Sequence, residues 1–138
     1  MRRRALLSTF GAGSLAAAAG CMSRFQDMSV ELLQVGVLNW SDEETGVQIR
    51  ILLDEEIIEE VTYDLDADGG GHVLDCTWPF DPGDFAVAAR LSRAEEWETR
   101  DLTDPEHDCA AIWVMISDPD GPPSMPISRD CTFYDDRC

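Results

Sequence analysis

The chain has 138 residues, with 28 Asp and Glu against ten arginines and no lysine, for a formal charge of −18. That balance argues against nucleic acid or anionic lipid as direct partners of the folded surface, since both are bound by cationic faces. Because 44% of the residues are hydrophobic and fall in periodic clusters, the acidity does not imply disorder, and the length suits one domain with a single core.

The first 21 residues read as an export leader. Arg2, Arg3 and Arg4 precede a short apolar run from Ala5 to Phe10, and small residues lead up to Cys21. This is a positive start, an apolar middle and a small-residue cleavage region. Arg3 and Arg4, followed by Ala5, Leu6 and Leu7, resemble the twin-arginine signal that exports folded proteins. Ala18-Ala19-Gly20-Cys21 resembles a lipobox, which implies that Cys21 is lipidated and becomes the mature N-terminus. A membrane span is excluded for this stretch, because residues 5–20 fall short of the roughly 20 apolar residues required. The part after Cys21 holds all 28 acids and seven arginines, a formal −21. Acid excess, absent lysine and such a leader together resemble exported proteins of halophilic archaea. In concentrated salt the self-repulsion of such a chain is screened.

Residues 22–28 form a short polar spacer, and residues 29–138 form the domain. Alternating apolar residues predict strands at 29–40, 47–53 and 57–65. Asp54 and Glu55 make the hairpin turn between the last two, without the glycine such turns favour. Glu59 interrupts the alternation of Ile57, Val61, Tyr63 and Leu65, which leaves that register open. After a loop ending in Gly69-Gly70-Gly71, a short strand is expected at 72–78, then a Pro/Gly turn at 79–83 and a regular strand at 85–91. Residues 94–102 read as a strand through the spacing of Trp97, Thr99 and Asp101. Residues 109–117, apolar on both faces, suit a central strand, and 125–134 form the last one.

Seven or eight short strands spaced by turns predict an all-β fold, a single antiparallel sandwich. Asp81-Pro82-Gly83-Asp84-Phe85-Ala86-Val87 resembles the entry to a late strand in immunoglobulin-like surface domains of bacteria and archaea. The resemblance extends over residues 29–134 in pattern and implies an immunoglobulin-like sandwich.

Little in the chain carries chemistry. Asp64, Asp66, Asp68, Gly69 and Asp75 reproduce the oxygen spacing of a calcium loop, in which Gly69 permits the sharp turn. The twelfth position is Asp instead of a bidentate Glu, and the flanks read as strands, so an acidic surface loop is the competing reading. No other cofactor is implied. A copper site would have to enlist Cys109, Met115, His72 and His107, but no histidine follows Cys109 as copper carriers of this size require. No serine elbow or phosphate-binding glycine loop occurs. Trp40, Trp78, Trp97 and Trp113 either line a ligand face or pack in the core, and the strand positions favour the core.

Four cysteines remain after Cys21, and export favours their pairing into two disulfides with three possible connectivities. A turn centred on Asp120 sets Cys109 opposite Cys131, Trp113 opposite Ile127 and Met115 opposite Met125. It also places Arg129 opposite Ala111, on an otherwise apolar face. Opposed Cβ atoms are close enough for a disulfide, so Cys109 bonds Cys131, and Cys76 is left for Cys138. The expected function is a non-catalytic module on the outer face of the cell membrane, held by lipid on Cys21 and acting in binding a surface protein or polymer, or in structure. The alternative is an exported metal or redox carrier.

Overall fold

Hydrophobic residues recurring every second position bury one side of a strand and leave the other to solvent, and two such strand layers close on each other here. The computed structural model describes residues 28–134. Its eight strands are β1 (Glu31–Asn39), β2 (Thr45–Leu53), β3 (Glu56–Leu65), β4 (Gly70–Val73), β5 (Phe85–Leu91), β6 (Glu98–Asp101), β7 (Cys109–Ile116) and β8 (Ile127–Ser128). A short 3-10 helix, Cys131–Tyr134, follows. The strands form two four-stranded sheets, ordered β4-β1-β7-β8 and β3-β2-β5-β6. The fold is the expected all-β sandwich.

The core lies between the sheets. Val35 and Val37 of β1 and Ala110, Ile112, Val114 and Ile116 of β7 meet Val47, Ile49 and Ile51 of β2 and Phe85, Val87 and Ala89 of β5. All of these are fully buried. At about 25 cal/mol per Å2 of apolar surface, this alternation is the main force holding the layers together. Trp78 joins the core, and its Nε1 donates to the Leu32 carbonyl at 2.8 Å, which satisfies the indole's one polar atom.

Several expectations are corrected. The sandwich is not wholly antiparallel, because β1 runs parallel to β7 along its length. The glycine stretch is itself strand: Gly70 and Gly71 pair with Asn39 and Leu38, and β4 ends at Val73 instead of reaching Trp78. A side chain on Gly71 would come within 2.8 Å of the Val37 carbonyl oxygen, so this close pairing needs a glycine. The strand expected over 94–102 shortens to β6, after a turn that begins beyond Leu91.

The Asp54-Glu55 hairpin forms as expected, and its two residues take φ of 50° and 69°, the left-handed pair that a tight hairpin requires even without glycine. A register shift beside it explains Glu59. Ile51 pairs with Glu59 while Leu52 pairs with Ile57, so one extra residue is accommodated in β3. Ile57 is thereby turned to the outer face with Leu52 and is 50% exposed.

The last hairpin is one residue out of the expected register. Ala111 faces Ser128 and Ile112 faces Ile127, and Met115 bridges to Ser124 instead of Met125. The cause is the turn. Gly121 N–H donates to the Asp118 carbonyl, which makes a four-residue turn whose centre falls between Pro119 and Asp120 and not on Asp120. Met125 consequently points inward and is buried. Pro126 has no N–H to give the ladder, and the expected strand over 125–134 reduces to two residues and the 3-10 helix.

Candidate functional site

The cysteine pair survives the shift of register. Cys109 and Cys131 are disulfide-bonded with Cα atoms 6.0 Å apart, because Cys131 has left the ladder for the 3-10 helix and is not bound by its register. Cys76 is also disulfide-bonded. Its expected partner Cys138 lies outside the described residues, as do Arg3, Arg4 and Cys21. Arg129 is accommodated through backbone carbonyls: its Nη1 donates to Leu102 O at 2.6 Å and to Cys109 O at 3.4 Å.

The calcium loop does not assemble. Asp64 belongs to β3 in one sheet, whereas β4 and the segment leading to Asp75 belong to the other. The twelve residues therefore cross between layers and do not wrap one point, as a calcium loop must. Among the described residues no three His, Cys, Asp or Glu side chains gather as metal ligands. The carbonyls near Asp66 are engaged by Asn39, a fully buried side chain. Its Nδ2 donates to Glu43 O at 2.8 Å, Asp66 O at 3.1 Å and Leu65 O at 3.3 Å, and its Oδ1 accepts from the Ser41 N–H and hydroxyl. Asn39 thus ties three chain segments at one end of the sandwich. It was not singled out from sequence, where a lone Asn before Trp40 carries no periodic signal.

The copper set is not assembled either. Cys109 is buried in a disulfide and has no thiolate to offer. His72 packs at a tilt against Tyr63 with centroids 4.6 Å apart, and His107 pairs with Asp104 at 3.2 Å. The Asp104 carboxyl is held below its ordinary value, first by the Glu106 N–H and then by His107. Burial, with Asp75 and Glu59 nearby, pushes the Tyr63 phenol up.

The four tryptophans do not share a face. Trp78 is core, Trp40 is 56% exposed at the end of β1, and Trp97 and Trp113 lie on opposite outer faces. The two faces differ in kind. On the β3-β2-β5-β6 side, Glu60, Asp64, Arg50, Arg90 and Asp101 point outward, as alternation against the buried positions requires. Arg50 Nε holds Glu60 at 2.8 Å, and its guanidinium lies 3.9 Å from the Trp97 ring centroid. Arg90 lies 4.6 Å from the same ring and donates to Gln48 Oε1. This ladder shields Ala88, which points outward yet is only 5% exposed. At one corner, burial and the neighbours Asp101, Asp54 and Glu55 push the Asp84 carboxyl up.

On the β4-β1-β7-β8 side, the outward strand positions beyond the β1 bulge carry no ionisable group among the described residues. Gln34, Gly36 and Leu38 of β1 align with Ala111, Trp113 and Met115 of β7. Gly71 and Val73 flank them on one side, and Ser124, Pro126 and Ser128 on the other. Glu31 lies at the far end of β1, before the bulge. The Trp113 ring rests directly on Gly36, where an added Cβ would come within 2.6 Å of it, so the face is flat. A surface cleft of about 340 Å3 opens near the β7–β8 turn, but Glu95, Glu96, Glu98 and Asp120 line it. Compared with protein-family models, curated proteins and solved structures, the chain matches none.

Proposed function

We propose that this chain is a lipid-tethered module of the outer cell surface, non-catalytic, with a binding or structural role in a high-salt environment and with immunoglobulin-like kinship. The observation that carries the reading is the run from Arg3-Arg4 to Cys21 placed a short spacer ahead of a sandwich whose Cys109 and Cys131 are bonded. Disulfides persist in oxidising compartments, so leader and cysteine pair favour the same side of the membrane. The acid coat, with no lysine among the ionisable residues, supports a salty exterior. The spacer, residues 22–28, spans at most about 25 Å at roughly 3.5 Å per residue, which keeps the domain close to its anchor.

Fractionation tests the tether. Diacylation at Cys21 supplies the two chains that stable anchoring needs. Exchange of Cys21→Ser is expected to move the protein from membranes to the medium. A Cys21→Ser protein that still sediments with membranes would overturn the lipid anchor in favour of an uncleaved leader.

A further inference from the structure

We infer that the open side of the sandwich, between β6 and the β7–β8 connection, binds an extended basic peptide as an added strand. The inference rests on the binding role proposed above, and not on the lipid anchor. β6 is the last strand of its sheet, so one of its edges is left without a neighbouring strand. Leu102 N–H donates to the Phe85 carbonyl directly opposite, and bonded positions alternate along an antiparallel ladder. Glu98 and Arg100 therefore turn their peptide groups toward β5. Thr99 and Asp101 turn theirs outward, where no backbone hydrogen bond reaches them among the described residues. Such an edge, with an N–H and a C=O free at each outward residue, is a template for another strand.

The edge faces a groove and not open solvent. The 340 Å3 cleft described above continues past Glu98 and Pro123 into a second of about 290 Å3, lined by Thr99, Arg100 and Ser124. One wall of the groove is β6 and the other is the stretch 119–125. Pro122 and Pro123 in that wall have no N–H to offer β6, and the two edges are not paired with each other. Charge and shape then fix the occupant. Glu95, Glu96, Glu98 and Asp120 gather at one end of the groove, and Arg100 lies toward the other. An entering strand therefore carries cationic side chains at the first end and uncharged ones at the second. Buried Leu91 and Met125 contribute to the floor, which suits apolar side chains at alternate positions of that strand. A free cation would meet the carboxylates but leave the β6 peptide groups unused, and the test separates the two.

Two synthetic peptides with blocked ends, Lys-Val-Lys-Val-Thr-Val and its reverse, cover both strand directions. Each is titrated into the purified exported chain in about 1 M salt, where only charges in contact still attract. Binding by one of them is expected, with slowed hydrogen exchange at the Thr99 and Asp101 amides. Thr99→Pro removes an outward N–H and no ladder bond to β5, and should weaken binding about tenfold. Glu98→Gln combined with Asp120→Asn should weaken it about threefold or more through the lost charges. Glu56→Gln combined with Glu106→Gln removes the same charge at the opposite end of the strands and should leave binding unchanged. Circular dichroism verifies that each variant keeps the fold. Failure of both peptides to bind overturns the proposal. So does undiminished binding by Thr99→Pro, unchanged exchange at Thr99, or equal weakening by the two carboxylate pairs, each of which would reduce the contact to charge attraction alone. Fractionation of Cys21→Ser decides the tether separately, so the tether and the peptide groove can fail independently.

Discussion

The two outer faces of this sandwich cover the same kind of surface by opposite means. On the β3-β2-β5-β6 side the small side chain of Ala88 is roofed by long ones: Trp97 between Arg50 and Arg90, with Glu60 and Gln48 at the ends. The arginine stems cover apolar surface while the guanidinium groups stay wet. On the β4-β1-β7-β8 side the covering is one flat ring, Trp113 on Gly36, and there are no charges at the centre. Each face leaves apolar surface in reach of solvent: Ile57 is 50% exposed on the charged side and Val73 38% on the uncharged side, where Leu38 and Met115 are half-buried.

The sharpest way to break this contrast is at Gly36. A methyl group there collides with the Trp113 ring, and overpacking of this kind costs about 1–3 kcal/mol. Gly36→Ala is expected to lower stability to urea by that amount and to shift tryptophan emission as the ring is lifted from the sheet. Unchanged stability would mean that the ring is not seated on β1. On the opposite face the expected effect is smaller. A double-mutant cycle of Arg50→Ala and Trp97→Ala should return a coupling of about 0.5–1 kcal/mol, the range for a partly exposed cation over an aromatic ring. A coupling of zero would reduce the ladder to coincidence.

The smallest effect is pH-dependent and sits at the acidic corner of the charged face. Asp84 is held above its ordinary 3.8 by desolvation first, then by Asp101, Asp54 and Glu55. The folded chain therefore binds this proton more tightly than the unfolded chain does. Ionised Asp84 costs stability in full above its folded pKa, and the cost fades as pH falls through that value toward 3.8. Asp84→Asn should raise the melting temperature slightly at neutral pH, with the gain shrinking on acidification. A gain that persists at low pH would contradict the electrostatic cause.

Strands with unbroken alternation were legible in the sequence. Residues 85–91 form β5 as read, and the apolar run that begins at Cys109 becomes the central strand β7. Where an extra residue or a proline intervenes, pattern is not enough. Ile57 looks inward by parity, and one accommodated residue turns it out. The final hairpin slips by one position because a four-residue turn has its centre between two residues. The expected disulfide forms nonetheless, since Cys131 lies beyond the ladder. The calcium spacing Asp64–Asp75 failed because spacing along a chain says nothing about which sheet each end joins. The uncharged face was beyond reach for a related reason. Gly36 and Trp113 are 77 positions apart and meet only through the parallel pairing of β1 with β7, which local periodicity does not encode.

The central claim is that the carboxylates form a coat whose repulsion is held in check by salt, around a neutral core and one neutral face. Thermal unfolding followed by circular dichroism at about 0.1 M and at about 1 M salt tests it directly, since the screening length falls between them from about 10 Å to about 3 Å. The account predicts a melting temperature that rises clearly with salt, with partial unfolding in dilute buffer. The same melting temperature at both concentrations would contradict it.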